Sequence, residues 1–141
     1  MKKVALIVAA VLVSATVVWA AGDLSRQTPL ELKVLLGSRD VEMVILPRTW
    51  NLETGKLYKV SLANEGKVKH EWVAPEFTLT IWTRKVEVGG AEIKGVINEI
   101  ELQPGAKADW YFVPIRTGEF VMACEIEGHK EAGMVGRIIV K

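Results

Sequence analysis

Beyond residue 21 the chain keeps its apolar residues in short alternating runs and never sustains them at helical spacing. A period of two puts one face of a strand into a core and the other into water. Each run here stops at a turn signal. Leu30–Leu36 ends at Gly37-Ser38, and Val41–Leu46 ends at Pro47. Tyr58, Val60 and Leu62 alternate with Lys59, Ser61 and Ala63, then close at Asn64-Glu65-Gly66. Val68–Val73 runs up to Pro75, Leu79–Val88 breaks at Gly89-Gly90, and Val96–Leu102 stops at Gln103-Pro104-Gly105. Ala108, Trp110 and Phe112 then alternate with Asp109 and Tyr111, Phe120, Met122 and Cys124 share one face after Gly118, and Val135–Val140 closes the chain. The pattern predicts an all-β fold, a Greek-key β-sandwich or small barrel of about seven to eight strands. Glu76–Gly95 fits it least and is expected to be a long excursion between the two halves of the site.

Residues 1–21 stand apart from that domain. Lys2 and Lys3 precede an apolar run from Val4, and Val18-Trp19-Ala20 offers a small residue at a cleavage position, with Ala21 as a second choice. This is the layout of a secretory signal peptide. The run from Val4 to Ala21 is also just long enough for an uncleaved anchor. The expected organisation is a signal segment over 1–21 and one domain over 22–141, exported to a bacterial periplasm and tethered to the membrane only if the segment is retained.

Without residues 1–21 the net charge moves from +1 to −1, because two lysines leave. A near-neutral domain with no Lys/Arg cluster gives no electrostatic footprint for nucleic acid. A monomer is expected. The chain has one cysteine, so in an oxidising compartment it can form no internal disulfide. That thiol must be buried, reactive or bound.

Cys124 opens the run Cys124-Glu-Ile-Glu-Gly-His129-Lys-Glu-Ala-Gly-Met134, a Cys-x4-His-x4-Met loop. The other histidine of the chain, His70, lies at the end of a strand-like stretch. Two imidazoles, one thiolate and a weak thioether form the donor set that suits a mononuclear copper electron-transfer site. Such a site must change oxidation state with little ligand movement. A loop fastened to a rigid sheet and pinned by His70 from a neighbouring strand can supply that rigidity.

The pattern resembles the cupredoxin family, the plastocyanins, azurins, rusticyanins and phytocyanins. The resemblance covers the domain from its first strands to its closing strand and is most specific at His70, Cys124, His129 and Met134, the four copper ligands it implies. The Cys-x4-His-x4-Met spacing is most similar to the rusticyanin and phytocyanin loops, and the strand and turn over Tyr111–Phe120 are also family-like. Two features depart from the family. Glu71 follows His70 where many members have Asn, and Glu127-Gly128 precedes His129 where Pro is frequent. The loop is unusually charged, with Glu125, Glu127, Lys130 and Glu131. Carboxylates near the metal favour Cu(II) and lower its potential by Coulomb's law.

The resemblance implies a one-electron carrier between redox proteins, such as a c-type cytochrome or an oxidase, working through the edge of His129. The other reading is a copper-handling protein for resistance, storage or delivery. Copper enzymes need further histidines for a second centre, so the chain by itself is expected to be no enzyme. A dinuclear site would need a second loop cysteine. Met122 is a rival to Met134, but its inward place on the Cys124 strand suits core packing. Strand alternation sends Glu71 to the face opposite His70, to be solvated or paired with Lys69 or Lys67. Trp72, Trp82 and Trp110 are expected to fill the core rather than relay electrons.

Overall fold

A computed structural model describes residues 22–141, and the signal-segment expectation lies outside the described residues. Eleven strands follow in chain order: β1 (Leu30–Leu36), β2 (Ile45–Leu46), β3 (Thr49–Leu52), β4 (Tyr58–Ala63), β5 (His70–Val73), β6 (Ile81–Val88), β7 (Ala91–Ile93), β8 (Glu99–Leu102), β9 (Lys107–Pro114), β10 (Gly118–Ala123) and β11 (Val135–Val140). A 3₁₀ turn over Leu24–Arg26 precedes β1, and one short α-helix, α1 (Pro75–Thr78), follows β5. The strands form two sheets, ordered β2-β1-β4-β9-β6-β7 and β3-β11-β10-β5-β8. The all-β sandwich expected from the alternation is therefore the fold. The extra strands are short pieces, β3 and β7, whose three or four residues are too few to show a period, and the expected Val41–Leu46 run shortens to the two residues of β2.

β1 and β4 run parallel, as do β3 and β11, while the other pairs are antiparallel. A parallel pair cannot be closed by a tight hairpin. The connections from β1 to β4 and from β3 to β11 therefore pass through other elements, and the links crowd at the ends of the sandwich.

Alternation holds best in β4, where Tyr58, Val60 and Leu62 are buried between half-exposed neighbours. In β9, Ala108, Trp110 and Phe112 are buried in the same way. Phe120, Met122 and Cys124 all point inward, and Met122 is a fully buried core residue. Trp72 stacks on Trp50 with ring centroids 5.5 Å apart and meets Trp110 edge-on at 4.9 Å. Burying large apolar side chains of this kind contributes roughly 1.5–3 kcal/mol each.

Trp82 departs from expectation. It lies on β6 but is 44% exposed, so it does not fill the core. β6 is half-buried along most of its length, and its outward positions face solvent. The stretch Glu76–Gly95 is likewise more regular than an excursion. Pro75 starts α1, a position where its missing N–H costs nothing, and Phe77 drops into the core against Phe112 and Phe120. β6 then pairs with β9, and β7 folds back on β6 as a hairpin. Among the described residues no helix is long and apolar enough to cross a membrane.

Candidate metal centre

One end of the sandwich gathers the chain's chemistry. β10 and β11 pair up to Ala123 and Val135, and the loop between them carries Cys124, His129 and Met134. Backbone bonds inside the loop close it upon itself. The Cys124 N–H donates to the Met134 carbonyl at 3.0 Å, and the Met134 N–H to the His129 carbonyl at 3.0 Å. The His129 N–H donates to Ile126, and those of Ala132 and Gly133 to Gly128 and Lys130. Gly128, at φ +81°, makes the left-handed turn just before His129, so glycine supplies here a bend that a proline cannot. Arg48 fastens the far side of the loop, donating from Nη1 to the Gly133 carbonyl at 2.9 Å.

His70 is the first residue of β5, placed by its pairing with Leu102 on β8. Its Nδ1 lies 3.3 Å from Nδ1 of His129, which in turn lies 3.3 Å from Sγ of Cys124. The three donor atoms all lie within 4.8 Å of one another. Two donors each about 2.0–2.3 Å from one small cation, in a near-trigonal or tetrahedral arrangement, are about 3.3–3.7 Å apart. The spacing thus fits a single ion, and a donor set of two imidazole nitrogens and one thiolate sulfur fits copper. His70, Cys124 and Met134 are fully buried, while His129 keeps 9% of its surface exposed. The structure therefore brings His70, Cys124 and His129 together, holds Met134 to the latter two through the loop backbone, and leaves His129 the least buried of the four.

Burial pushes the Cys124 thiol up from its ordinary value, against the opposing pull of the Glu71 and Ile126 N–H groups. Burial likewise lowers His70, aided by the neighbouring His129 and resisted by Glu42. A dry pocket of this kind disfavours any unpaired charge. A cation bound there would take the thiolate form and release a proton.

Glu71 occupies the face opposite His70, as alternation requires, but it forms no ion pair with a lysine among the described residues. Lys69 instead reaches Glu101, at 2.9 Å. Glu71 is set directly across from Glu101 on β8, with Glu99 close by, and the three carboxylates lie within 4.8 Å of one another. Burial and these two neighbours raise the Glu71 carboxyl above its ordinary value.

Two residues beside the site gave no sign of their role in the sequence. Glu42, between β1 and β2, places Oε1 3.0 Å from Nε2 of His70. Asn64, fully buried, donates from Nδ2 to the carbonyls of Val68 and Leu102, both at 2.8 Å, and so clamps the β4–β5 loop to β8. Asn64 was legible only as part of a turn, and Glu42 carried no signal because its partner is 28 residues away.

No protein-family model matches the chain. Reduced auracyanin from the photosynthetic bacterium Roseiflexus castenholzii superposes with a TM-score of 0.57 at 16% identity, covering 79% of this chain and 96% of that one. Auracyanin A from Chloroflexus aurantiacus, a "blue" copper protein, gives 0.54 at 16% identity, over 81% of this chain and all 100% of that one. The fold is the cupredoxin fold. A multicopper oxidase from Campylobacter jejuni matches with a TM-score of 0.58 at 15% identity, over 82% of this chain but 31% of the oxidase chain. In sequence, the copper-resistant cuproprotein CopI of Rubrivivax gelatinosus is 29% identical over 104 residues. That match takes in 67% of this chain and 58% of the CopI length.

Proposed function

We propose that the protein is an exported one-electron carrier in which His70, Cys124 and His129 would hold one copper ion, with the Met134 thioether as a weaker fourth donor. The observation that carries this reading is the buried cluster of Nδ1, Nδ1 and Sγ, with 3.3 Å between the two imidazoles and between His129 and the sulfur. Copper bound there would supply reversible one-electron redox chemistry. The chain's own part is to hold and shield. The loop's internal hydrogen bonds and Arg48 fix Cys124, His129 and Met134 relative to one another. The Glu71 N–H, donating to Sγ of Cys124 at 3.3 Å, stabilises the thiolate form. Burial of three of the four side chains excludes water from them. His129 alone offers an edge through which a redox partner can couple.

Around that edge Glu125, Glu127 and Glu131 are exposed, which suits a partner with a basic docking patch. A c-type cytochrome or an oxidase has the required redox chemistry. Both histidines of the chain are drawn into one site, which leaves none for a second catalytic centre and supports a role without catalysis of its own. The N-terminal signal pattern supports export to the periplasm.

A second reading is copper handling, favoured by the likeness to a copper-resistant cuproprotein. The two separate in a direct measurement. With one equivalent of Cu(II), a carrier gives an intense thiolate-to-copper band that is lost in Cys124→Ser, and it keeps its copper through repeated redox cycles against a chelator. Rapid loss to the chelator, or a fully loaded protein that stays colourless after an oxidant, would make copper handling the better description.

A further inference from the structure

Glu42 is built into the end of the sandwich as a fixed acceptor. Its Oε1 takes hydrogen bonds from the Lys67 N–H at 2.8 Å and the Val68 N–H at 3.2 Å, and its Oε2 lies 3.0 Å from the same Lys67 N–H. The β4–β5 loop thus aims the carboxylate, and Oε1 is also the atom 3.0 Å from Nε2 of His70. Two glycines clear the space. A Cβ at Gly37 would stand 2.6 Å from Nε2 of His70, and a Cβ at Gly66 would collide with Oε1 of Glu42. Any side chain at either position intrudes on this one hydrogen bond.

A neutral imidazole carries a single N–H, and the partner of one nitrogen decides which nitrogen is left as a lone-pair donor. The two backbone N–H groups keep Oε1 an acceptor, so the proton of His70 belongs on Nε2. Nδ1, the atom facing His129, is then free to bind a metal. Outer partners of this kind orient a ligand and raise its basicity.

We infer that Glu42 is a positioning residue for the metal centre: it locks His70 in the Nε2–H tautomer and adds a negative charge one hydrogen bond from the ligand set, favouring Cu(II) over Cu(I). This rests on the copper reading for its second half, whereas the tautomer is a property of the chain alone. It also relocates the electrostatic control expected of the ligand loop. Glu125, Glu127 and Glu131 face water, where charge is screened, while Glu42 touches a ligand.

The test compares the wild type with Glu42→Gln and Glu42→Ala. Nitrogen-15 NMR of the metal-free protein, at a pH above the ordinary histidine range, reads the His70 tautomer. The reduction potential and the Cu(II) and Cu(I) affinities are read on the loaded protein. The wild type is expected to show Nε2–H. Glu42→Gln keeps an oxygen at the shared acceptor position, so it retains the tautomer but loses the charge. Its Cu(II) affinity then falls roughly tenfold more than its Cu(I) affinity, a rise of about 59 mV in a one-electron potential. Glu42→Ala loses both, mixes the tautomers and costs roughly 10- to 100-fold in copper affinity. A wild-type His70 with its proton on Nδ1, a tautomer unchanged in Glu42→Ala, or equal potentials in wild type and Glu42→Gln overturns the inference. Because the tautomer is read without metal, a protein that binds no copper would defeat the functional reading and leave the hold of Glu42 on His70 separately decided.

Discussion

The backbone N–H of Glu71 points at Sγ of Cys124 across 3.3 Å, joining the strand that carries the upstream histidine to the loop that carries the other donors. The two segments barely pair otherwise, since β5 and β10 share one ladder position, Val73 opposite Ala123. This contact belongs to the main chain, so position 71 tolerates a glutamate where many cupredoxins have asparagine. The side chain is then free to sit among Glu99 and Glu101, where it is a cost.

Glu71→Gln is therefore expected to stabilise the metal-free protein at neutral pH. The folded-state carboxyl is raised by burial, Glu99 and Glu101. Folding then favours its protonated form, and stability falls as pH climbs from the unfolded value through the raised folded value. The variant escapes that loss, by roughly 0.2–1 kcal/mol on the scale of cross-strand pairs. Thermal melts at neutral and acidic pH check it: the gap should shrink on acidification, and a gap independent of pH would reject the like-charge explanation.

Met134→Leu and Met122→Leu separate the two buried methionines. Both swaps conserve volume and should cost under about 1.5 kcal/mol. Met134→Leu is expected to shift the thiolate-to-copper band and raise the potential, while Met122→Leu leaves both in place. The reverse result in the visible spectrum would move the axial role to Met122.

Gly66→Ala and Gly37→Ala should fail in different ways. At Gly66 the added methyl meets the far end of the Glu42 side chain and lies 3.1 Å from Nε2 of His70, and Glu42 can relieve the clash by swinging outward at the loss of its bonds to the Lys67 and Val68 N–H groups. The fold should survive with little loss of stability while the His70 hydrogen bond is broken, so copper affinity drops much as in Glu42→Ala. At Gly37 the backbone has φ +74° and the methyl meets the buried His70 ring. Left-handed strain alone costs roughly 1–2 kcal/mol there. Denaturant titration beside copper binding distinguishes the two, and equal stability losses would count against the cradle described for Glu42.

Reversing the charges of Glu127 and Glu131 to lysine should slow reduction by a basic partner such as a c-type cytochrome at low salt. The difference should fade as ionic strength shortens the Debye length to about 8 Å. Stopped-flow rates across a salt series are the check, and salt-independent, unchanged rates would remove the acidic loop from docking.

Asn64→Ala should destabilise the β4–β5 loop by roughly 1–3 kcal/mol, because the Val68 and Leu102 carbonyls lose their shared donor. Since Lys67 and Val68 of that loop aim Glu42, the His70 tautomer should loosen with it. Hydrogen exchange at Lys67 and Val68 reads the effect, and unchanged protection there would show that the loop is held by other contacts.

The strands that matter most were legible because alternation is a local property. Tyr58–Ala63 and Val135–Val140 announce themselves by which residues can face a core. The Cys-x4-His-x4-Met loop was legible for the same reason, since one connection carries three candidate donors at fixed spacing. The exposed Trp82 and the β6–β7 hairpin were not, because composition does not say which face of a strand another sheet will cover.

A β-sandwich and four candidate donors can be read from the chain alone, since periodicity and donor chemistry are written in neighbouring positions. Packing of distant segments sets the contact of Glu42 with His70, the Asn64 clamp on the loop that holds Glu42, and the place of Glu71 against Glu101. Each depends on segments far apart in the chain meeting at contact distance, which is set by sheet register and, at His70, by the absence of a side chain at Gly37 and Gly66.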